Sequence, residues 1–428
     1  MKTILTNCTI IDCTGQPPLN DMTVFIEDDQ ITGLKPGVYH PAAEEGETRV
    51  FDLEKGYVLP GLWNVHAHLG DVFPDPKHLL SSESVIDRAI RAGRNAIDAL
   101  HTGVTGIRVV GEGDLIDFSW KQAFDAGVFV GPRLFICGKA ILATGGHGQD
   151  FPGGVEVDGP YEMRKAVREQ LKHGADQIKL MVTGGHTEII AGTGTYQESQ
   201  LLMDELRAAT EVAHQKGKRV CAHAGSPGMK MAIRASVDCI EHGYYLDDEA
   251  IEMMVENDVF YVPTLVCNLD GEWLRESGML EVDPGDANLG LAGRVLVAKG
   301  EQVTPEYAKA HREGFQKALK AGVKIACGGD SNPVGEFALL EIEHLARAGM
   351  GEMEALIAAT RTCADLCGVV ERLGTVEVGK MADLIVVSAN PLENISNIRK
   401  LKLVLKGGKL IETQKPEGLT DLRELLFF

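Results

Sequence analysis

Residues 60–71 read PGLWNVHAHLGD, and the two histidines in that stretch, His66 and His68, stand one residue apart. On a strand, positions two apart project from the same side, so both imidazoles leave one face together. Imidazole is the commonest metal ligand, and a converging pair suits a divalent ion. A pair alone is also compatible with the solvent face of a surface strand, so further ligands must arrive at the same place. Four candidates lie downstream: Lys179 in DQIKLMVTGG, His223 in KRVCAHAG, His242 in DCIEHGYYL and Asp330 in VKIACGGD. Each interrupts an apolar, strand-like run near its C-terminal end. Polar groups buried independently would each need a partner of their own, whereas a shared metal centre satisfies them together. Imidazole and carboxylate donors fit zinc, and four histidines with carboxylate ligation can hold two ions. Lys179 is the odd member, because an ammonium is disfavoured beside cations. A neutral lysine amine can add carbon dioxide and become a carbamate (N6-carboxylysine), a carboxylate able to bridge two metals.

Elements that would bring these residues together follow from the pattern between them. Apolar runs at LWNVHAHL, VTGIRVVG, PRLFICGKAI, DQIKLMVTGG, KRVCAHAG, DCIEHGYYL, VFYVPTLV and VKIACGGD alternate with helical stretches such as ESVIDRAIRAGRNAIDALHTG, which ends at Gly as helices often do. Eight strands, most followed by a helix, predict a (β/α)8 TIM barrel over 59–371, whose active sites lie at the C-terminal ends of the strands. Those ends are where the six candidate residues fall. A doubly wound open sheet is the competing architecture. Short strands separated by turns over 1–58, matched by ADLIVVSANP and LKLVLKGGKLIET near the other end, predict a small β-sandwich domain built from 1–58 and 372–428. Residues 268–320 read as a long insertion before the eighth strand, a candidate lid at the barrel mouth.

Composition limits the partners. The 428 residues carry a formal net charge of −20, which opposes nucleic acid and anionic membrane at long range, and no basic block offsets it. No run approaches the roughly eighteen apolar residues of a membrane-spanning helix. The nine cysteines are odd in number and lack C-x-x-C spacing, so neither a disulfide framework nor a zinc knuckle is expected. Reduced thiols and an N-terminus without a signal-peptide pattern predict a cytoplasmic protein acting on a small-molecule substrate, and a homo-oligomer is expected.

The motifs themselves carry a resemblance. H-x-H after PG, the lysine of QIKLMVTGG, AHA with His223, IEHG with His242 and GGDS with Asp330 occur in the order found in the amidohydrolase superfamily. More narrowly, GKAILATGGHG and IEHGYYLDDEAIEMM resemble the branch holding imidazolonepropionase-like amidohydrolases and binuclear Xaa-Pro dipeptidases (prolidases). The resemblance implies that His66, His68 and Asp330 bind one metal and His223 and His242 a second, bridged by carboxylated Lys179 and a hydroxide. Asp330 would then move the proton from the attacking hydroxide to the leaving nitrogen. His147 of TGGHGQDF, in a motif those dipeptidases share, would hydrogen-bond the developing oxyanion. Candidate substrate contacts are His147, His186, Tyr196, Tyr244 and Tyr245. The chain departs from the dipeptidases in one visible place: they tend to carry a tyrosine straight after AHA, and here Gly225 follows. The activity implied is hydrolysis of an amide bond in a dipeptide or N-acyl amino acid, Xaa-Pro first. The alternative is deamination of a heterocycle, or hydrolysis of a cyclic amide such as an imidazolone. Mononuclear deaminases of the superfamily place a glutamate three residues after the strand-five histidine, where this chain has Ser226. A non-catalytic scaffold is a third class, and it should have lost ligands that are all present.

Overall fold

Alternating apolar residues at the N-terminus form β1 (Lys2–Ile10), β2 (Leu19–Glu27), β3 (Gln30–Pro36) and β4 (Thr48–Pro60). A computed structural model describes residues 2–40, 48–70, 83–149, 151–185, 195–268 and 303–412. After β4 come β5 (Leu62–Ala67), β6 (Val104–Val109), β7 (Arg133–Phe135), β8 (Ala140–Leu142), β9 (Gly154–Glu156), β10 (Gln177–Met181), β11 (Arg219–Gly225), β12 (Cys239–Tyr244) and β13 (Phe260–Val262). The last strands are β14 (Leu384–Val387), β15 (Leu401–Lys406) and β16 (Lys409–Ile411).

Both ends of the chain meet in one seven-stranded sheet of order β16-β15-β14-β4-β1-β2-β3. Antiparallel β14 lies beside β4, with Val386 opposite Val58. The sheet curls on itself: Gln30 bridges Met381, and Ala382 donates its amide to the Asp29 carbonyl at 2.7 Å. Between its faces lie Leu5, Ile10, Val24, Ile26, Val58, Leu384, Val386 and Leu405, the core of the sandwich. Burying one face of each strand requires this period-two pattern.

In the middle of the chain the strands are parallel and buried on both sides, as in the central β10, β11 and β12. Regular ladders form two groups, β5-β6-β7 and β13-β12-β11-β10-β8-β9. Single hydrogen bonds join them into a ring. On one side Asp176 and Gln177 donate to the Ile136 carbonyl just after β7. On the other, Tyr261 of β13 donates to Lys324 O and accepts from Ala326, while Val65 of β5 donates to Cys327 O and Asp330 donates to His66 O at 2.8 Å. Segment 324–330 therefore stands between β13 and β5, and the open-sheet alternative is excluded. The fold is a (β/α)8 barrel with a small sandwich domain.

That eighth position differs from the expected strand. It makes one isolated bridge, Ile325 with Tyr261, before the chain bends through Gly328 and Gly329. A Cβ on Gly328 would lie 2.6 Å from both His66 Cβ and Val262 Cγ1, so the glycine lets the backbone approach its neighbours closely. Of the expected insertion at 268–320, residues 269–302 lie outside the described residues. Most of the rest is the helix Pro305–Ala321, capped by Thr304 and ended by Gly322 at φ +82°, and it leads directly into the eighth position.

Candidate metal centre

His66 sits on β5 with His68 just beyond its end, His223 on β11, His242 on β12 and Asp330 after the eighth segment, all at the C-terminal end of the barrel. One donor atom each from His66, His242 and Asp330 lies within 4.8 Å of the others. Asp330 Oδ1 is 3.4 Å from His66 Nε2 and 3.5 Å from His68 Nε2.

Hydrogen bonds behind the rings decide which nitrogens face this point. His68 Nδ1 lies 3.0 Å from the Gly111 carbonyl, which can only accept, so Nδ1 carries the proton. His242 Nδ1 lies 2.7 Å from Thr264 Oγ1, whose own hydroxyl is given to the Pro263 carbonyl, so again the ring donates. His66 Nδ1 donates to Glu241 Oε2 at 2.7 Å. His223 is turned the other way: its Nε2 faces the Gly184 carbonyl at 3.3 Å, leaving Nδ1 as the acceptor nitrogen. Burial pushes His66 down to about 4, with Asp330 pulling the other way, and holds His223 and His242 well below the ordinary imidazole range. The His66, His223 and His242 rings are therefore neutral, and the His66–Glu241 contact is a hydrogen bond rather than an ion pair. The lone pair of His66 Nε2 points at an Asp330 carboxylate oxygen with no proton between them. That arrangement is repulsive unless a cation lies there, and the donor set is one that zinc accepts.

Lys179 on β10 fits the same demand. Its side chain is 1% exposed, and its Nζ has no hydrogen-bond partner among the described residues. A buried amine left in this state is costly, and conversion to a carbamate would give it oxygen donors suited to the same cations. His147 is brought to the cluster as well, its ring centroid 4.2 Å from that of His223. The loop that carries it is held by Gln200, which accepts the His147 amide at 2.9 Å. A Cβ at Gly185 would lie 2.4 Å from the His147 ring, so glycine there leaves space for the imidazole.

Two candidate ligands stand on left-handed backbone, His242 at φ +65° and Asp330 at φ +46°, together with Thr264 at +49° and Tyr245 at +52°. Non-glycine residues seldom adopt this region, and such strain concentrates at functional sites. Tyr261 Oη and His311 Nε2 both donate to the His242 carbonyl, at 2.9 and 2.7 Å, and hold it in that conformation.

An aromatic wall borders the centre. Tyr244 stacks on His242 with centroids 5.1 Å apart, and Tyr196 lies 4.5 Å from Tyr244 and 4.8 Å from Tyr307. Tyr244 is buried, whereas Tyr245 is 39% exposed and borders Tyr307 at 5.6 Å. Any other residue at 225 would force the Tyr196 backbone to move, since a Cβ would fall 2.0 Å from the Tyr196 carbonyl oxygen. The Tyr196 carbonyl thus crowds the position straight after AHA. His186 lies outside the described residues. Sequence reasoning missed Arg108, Glu241, Thr264, Tyr307 and His311. Glu241 and Arg108 had a visible signal, charged residues inside the apolar runs DCIEHG and VTGIRVVG. The others are ordinary in sequence and acquire meaning only by proximity.

A cavity of about 640 Å³ opens at the opposite end of the barrel, beside the starts of β7, β10 and β11. It is lined by Lys121, Arg133, Arg219 and Arg372 among others and contains no imidazole.

The chain is similar to several known proteins. The family described as "Amidohydrolase family" matches residues 57–411. An ochratoxinase of Aspergillus niger is 31% identical over 388 residues, covering 83% of this chain and 75% of that protein. The crystal structure of a Xaa-Pro dipeptidase with bound methionine in its active site superposes with a TM-score of 0.82 at 33% identity, covering 96% of this chain and all (100%) of that one. A prolidase in complex with N-methylphosphonate-L-proline gives 0.81 at 28% identity, covering 97% and 100%.

Proposed function

Since the chain belongs to the amidohydrolase family, we propose that it is a metal-dependent hydrolase cleaving the amide bond of a dipeptide or N-acyl amino acid, Xaa-Pro dipeptides first. Action on C–N bonds follows from the family and its prolidase relatives. The observation that carries the finer reading is the convergence of His66, His68 and His242 on Asp330, with the Lys179 amine buried nearby and without a hydrogen-bond partner among the described residues.

His66, His68 and Asp330 would hold one divalent ion, His223 and His242 a second, with carboxylated Lys179 between them. Bound cations, zinc first, supply Lewis acidity toward the scissile carbonyl and toward water. The chain's own residues do the rest. Asp330, its side chain 24% exposed at the mouth, takes a proton on its carboxylate and returns it to the leaving nitrogen. His147, its ring beside that of His223, donates an N–H to the carbonyl oxygen as negative charge develops there. Tyr245, with Tyr196 and Tyr307 behind it, offers a flat aromatic surface to a ring such as that of proline. Among the described residues no helix is long and apolar enough to cross a membrane. No disulfide joins the described cysteines, which supports the proposed cytoplasmic location. A homo-oligomer is part of the same proposal.

The deciding assay separates products. Purified protein with two equivalents of zinc is incubated with a panel of dipeptides, N-acyl amino acids and heterocyclic amides. Release of free amino acids from the first two groups is expected. If these stay intact while a heterocycle loses ammonia, the peptide reading is wrong and the enzyme is a deaminase.

A further inference from the structure

Beneath the ligand cluster the barrel core holds two opposite charges that an apolar pair of similar volume could replace. Arg108 on β6 is 1% exposed and Glu241 on β12 is 0% exposed. Burying such a pair is weak evidence for stability, because desolvation offsets most of the attraction, so their presence calls for another reason. Their bonds supply one. Arg108 donates through Nη2 to Glu241 Oε1 at 2.6 Å and through Nη1 to Gln177 Oε1 at 3.3 Å, and its Nε donates to the Val65 carbonyl. The other oxygen of Glu241, Oε2, accepts Nδ1–H of His66 at 2.7 Å.

His68 and His242 have their Nδ1 protons held by neutral acceptors, a carbonyl and a hydroxyl. Only His66 donates to a carboxylate, and that carboxylate is fixed from behind by a guanidinium. We infer that Glu241 and Arg108 are positioning residues for His66: Glu241 fixes the tautomer that presents Nε2 to the metal, and Arg108 clamps Glu241 in the orientation that does so. This rests on the reading of His66 as a ligand. A carboxylate partner also makes an imidazole a stronger donor, and losing such a partner costs metal affinity about 10–100-fold.

Glu241→Gln is the sharp test because the shape is kept. The amide oxygen must face the guanidinium, since its NH2 cannot, so the NH2 is turned toward His66 Nδ1. The ring would then have to accept at Nδ1 and carry its proton on Nε2, the wrong tautomer for binding. A second variant, Arg108→Met with Glu241→Leu, removes both charges and keeps an apolar core. Zn²⁺ affinity is measured by competition with a chromophoric chelator, and the Co²⁺-loaded protein is followed by its visible absorption. Both variants should fold, bind Zn²⁺ about 10–100-fold more weakly and shift the Co²⁺ spectrum. Parental affinity and spectrum in Glu241→Gln would overturn the inference, as would parental affinity in the double variant. His66→Ala is the control. If it loses Zn²⁺ while Glu241→Gln does not, the positioning role alone fails; if it too keeps parental affinity, the ligand reading beneath it fails.

Discussion

Replacing Lys179 by Met should change stability in opposite directions with and without metal. The butyl stem of Lys179 is packed inside the barrel at 1% exposure, and Met conserves most of its volume. What is lost is the Nζ, which has no hydrogen-bond partner among the described residues. An unsatisfied buried polar group costs about 1–3 kcal/mol, so chelator-treated Lys179→Met should be more stable than the parent by that amount. In the metal-loaded protein the sign reverses. Metal at about 1,000 times its Kd stabilises by about 4 kcal/mol, and a roughly 1,000-fold loss of affinity removes about 3.7 kcal/mol of this, more than the gain. Urea unfolding midpoints in chelator and in excess zinc read both effects, and turnover should fall by orders of magnitude. Lys179→Ala should regain part of its activity with a short carboxylic acid, which can occupy the vacated space as the carbamate would. ¹³C-bicarbonate should label the parent at Lys179. Parental zinc stabilisation and parental turnover in Lys179→Met would refute the reasoning.

Asp330→Asn keeps the shape of the side chain but removes the proton acceptor. Its kcat should fall beyond the roughly 10²–10⁴-fold typical of acid–base groups, because a ligand atom changes too, and an unchanged kcat would exclude the proposed proton transfer. His344, 1% exposed on the helix Val334–Leu345, is pushed down to about 3 by burial, aided by Arg347 and Arg312. The unfolded chain, near 6.5, takes up that proton first as pH falls, so stability is lost from about pH 6.5 downward to about 3. In chelator, His344→Leu should lose about 2 kcal/mol less than the parent between pH 7 and pH 5, and identical pH profiles from denaturant titration would contradict this. Gly225→Ala should displace the Tyr196 backbone, whose carbonyl oxygen is 2.0 Å from the added Cβ. The expected result is a kcat/KM lowered at least about tenfold with zinc stoichiometry retained, since strain of about 1–3 kcal/mol falls on the substrate side of the centre; an unchanged kcat/KM would show that Tyr196 does not shape the site.

The sequence by itself determined the residues whose chemistry no apolar strand would otherwise carry. His66, His68, Lys179, His223, His242 and Asp330 each interrupt a buried run, and a polar group there needs a common purpose. It also determined the alternation of strand and helix, because periods of 2 and 3.6 are written locally. Tertiary structure decided what depends on distance. Barrel closure runs through single bonds at 136 and at 324–330, where glycines and a left-handed Asp330 replace regular strand, and no local period encodes that. Which nitrogen each candidate histidine leaves free of its proton is decided by Gly111, Thr264, Glu241 and Gly184, acceptors that come from other loops and strands. Tyr307 and His311 read in sequence as part of an insertion, yet their helix places them against Tyr196 and the His242 carbonyl. A residue's type announces which bonds it can make, but the partner is fixed only when the chain brings a complementary atom within about 3 Å of it.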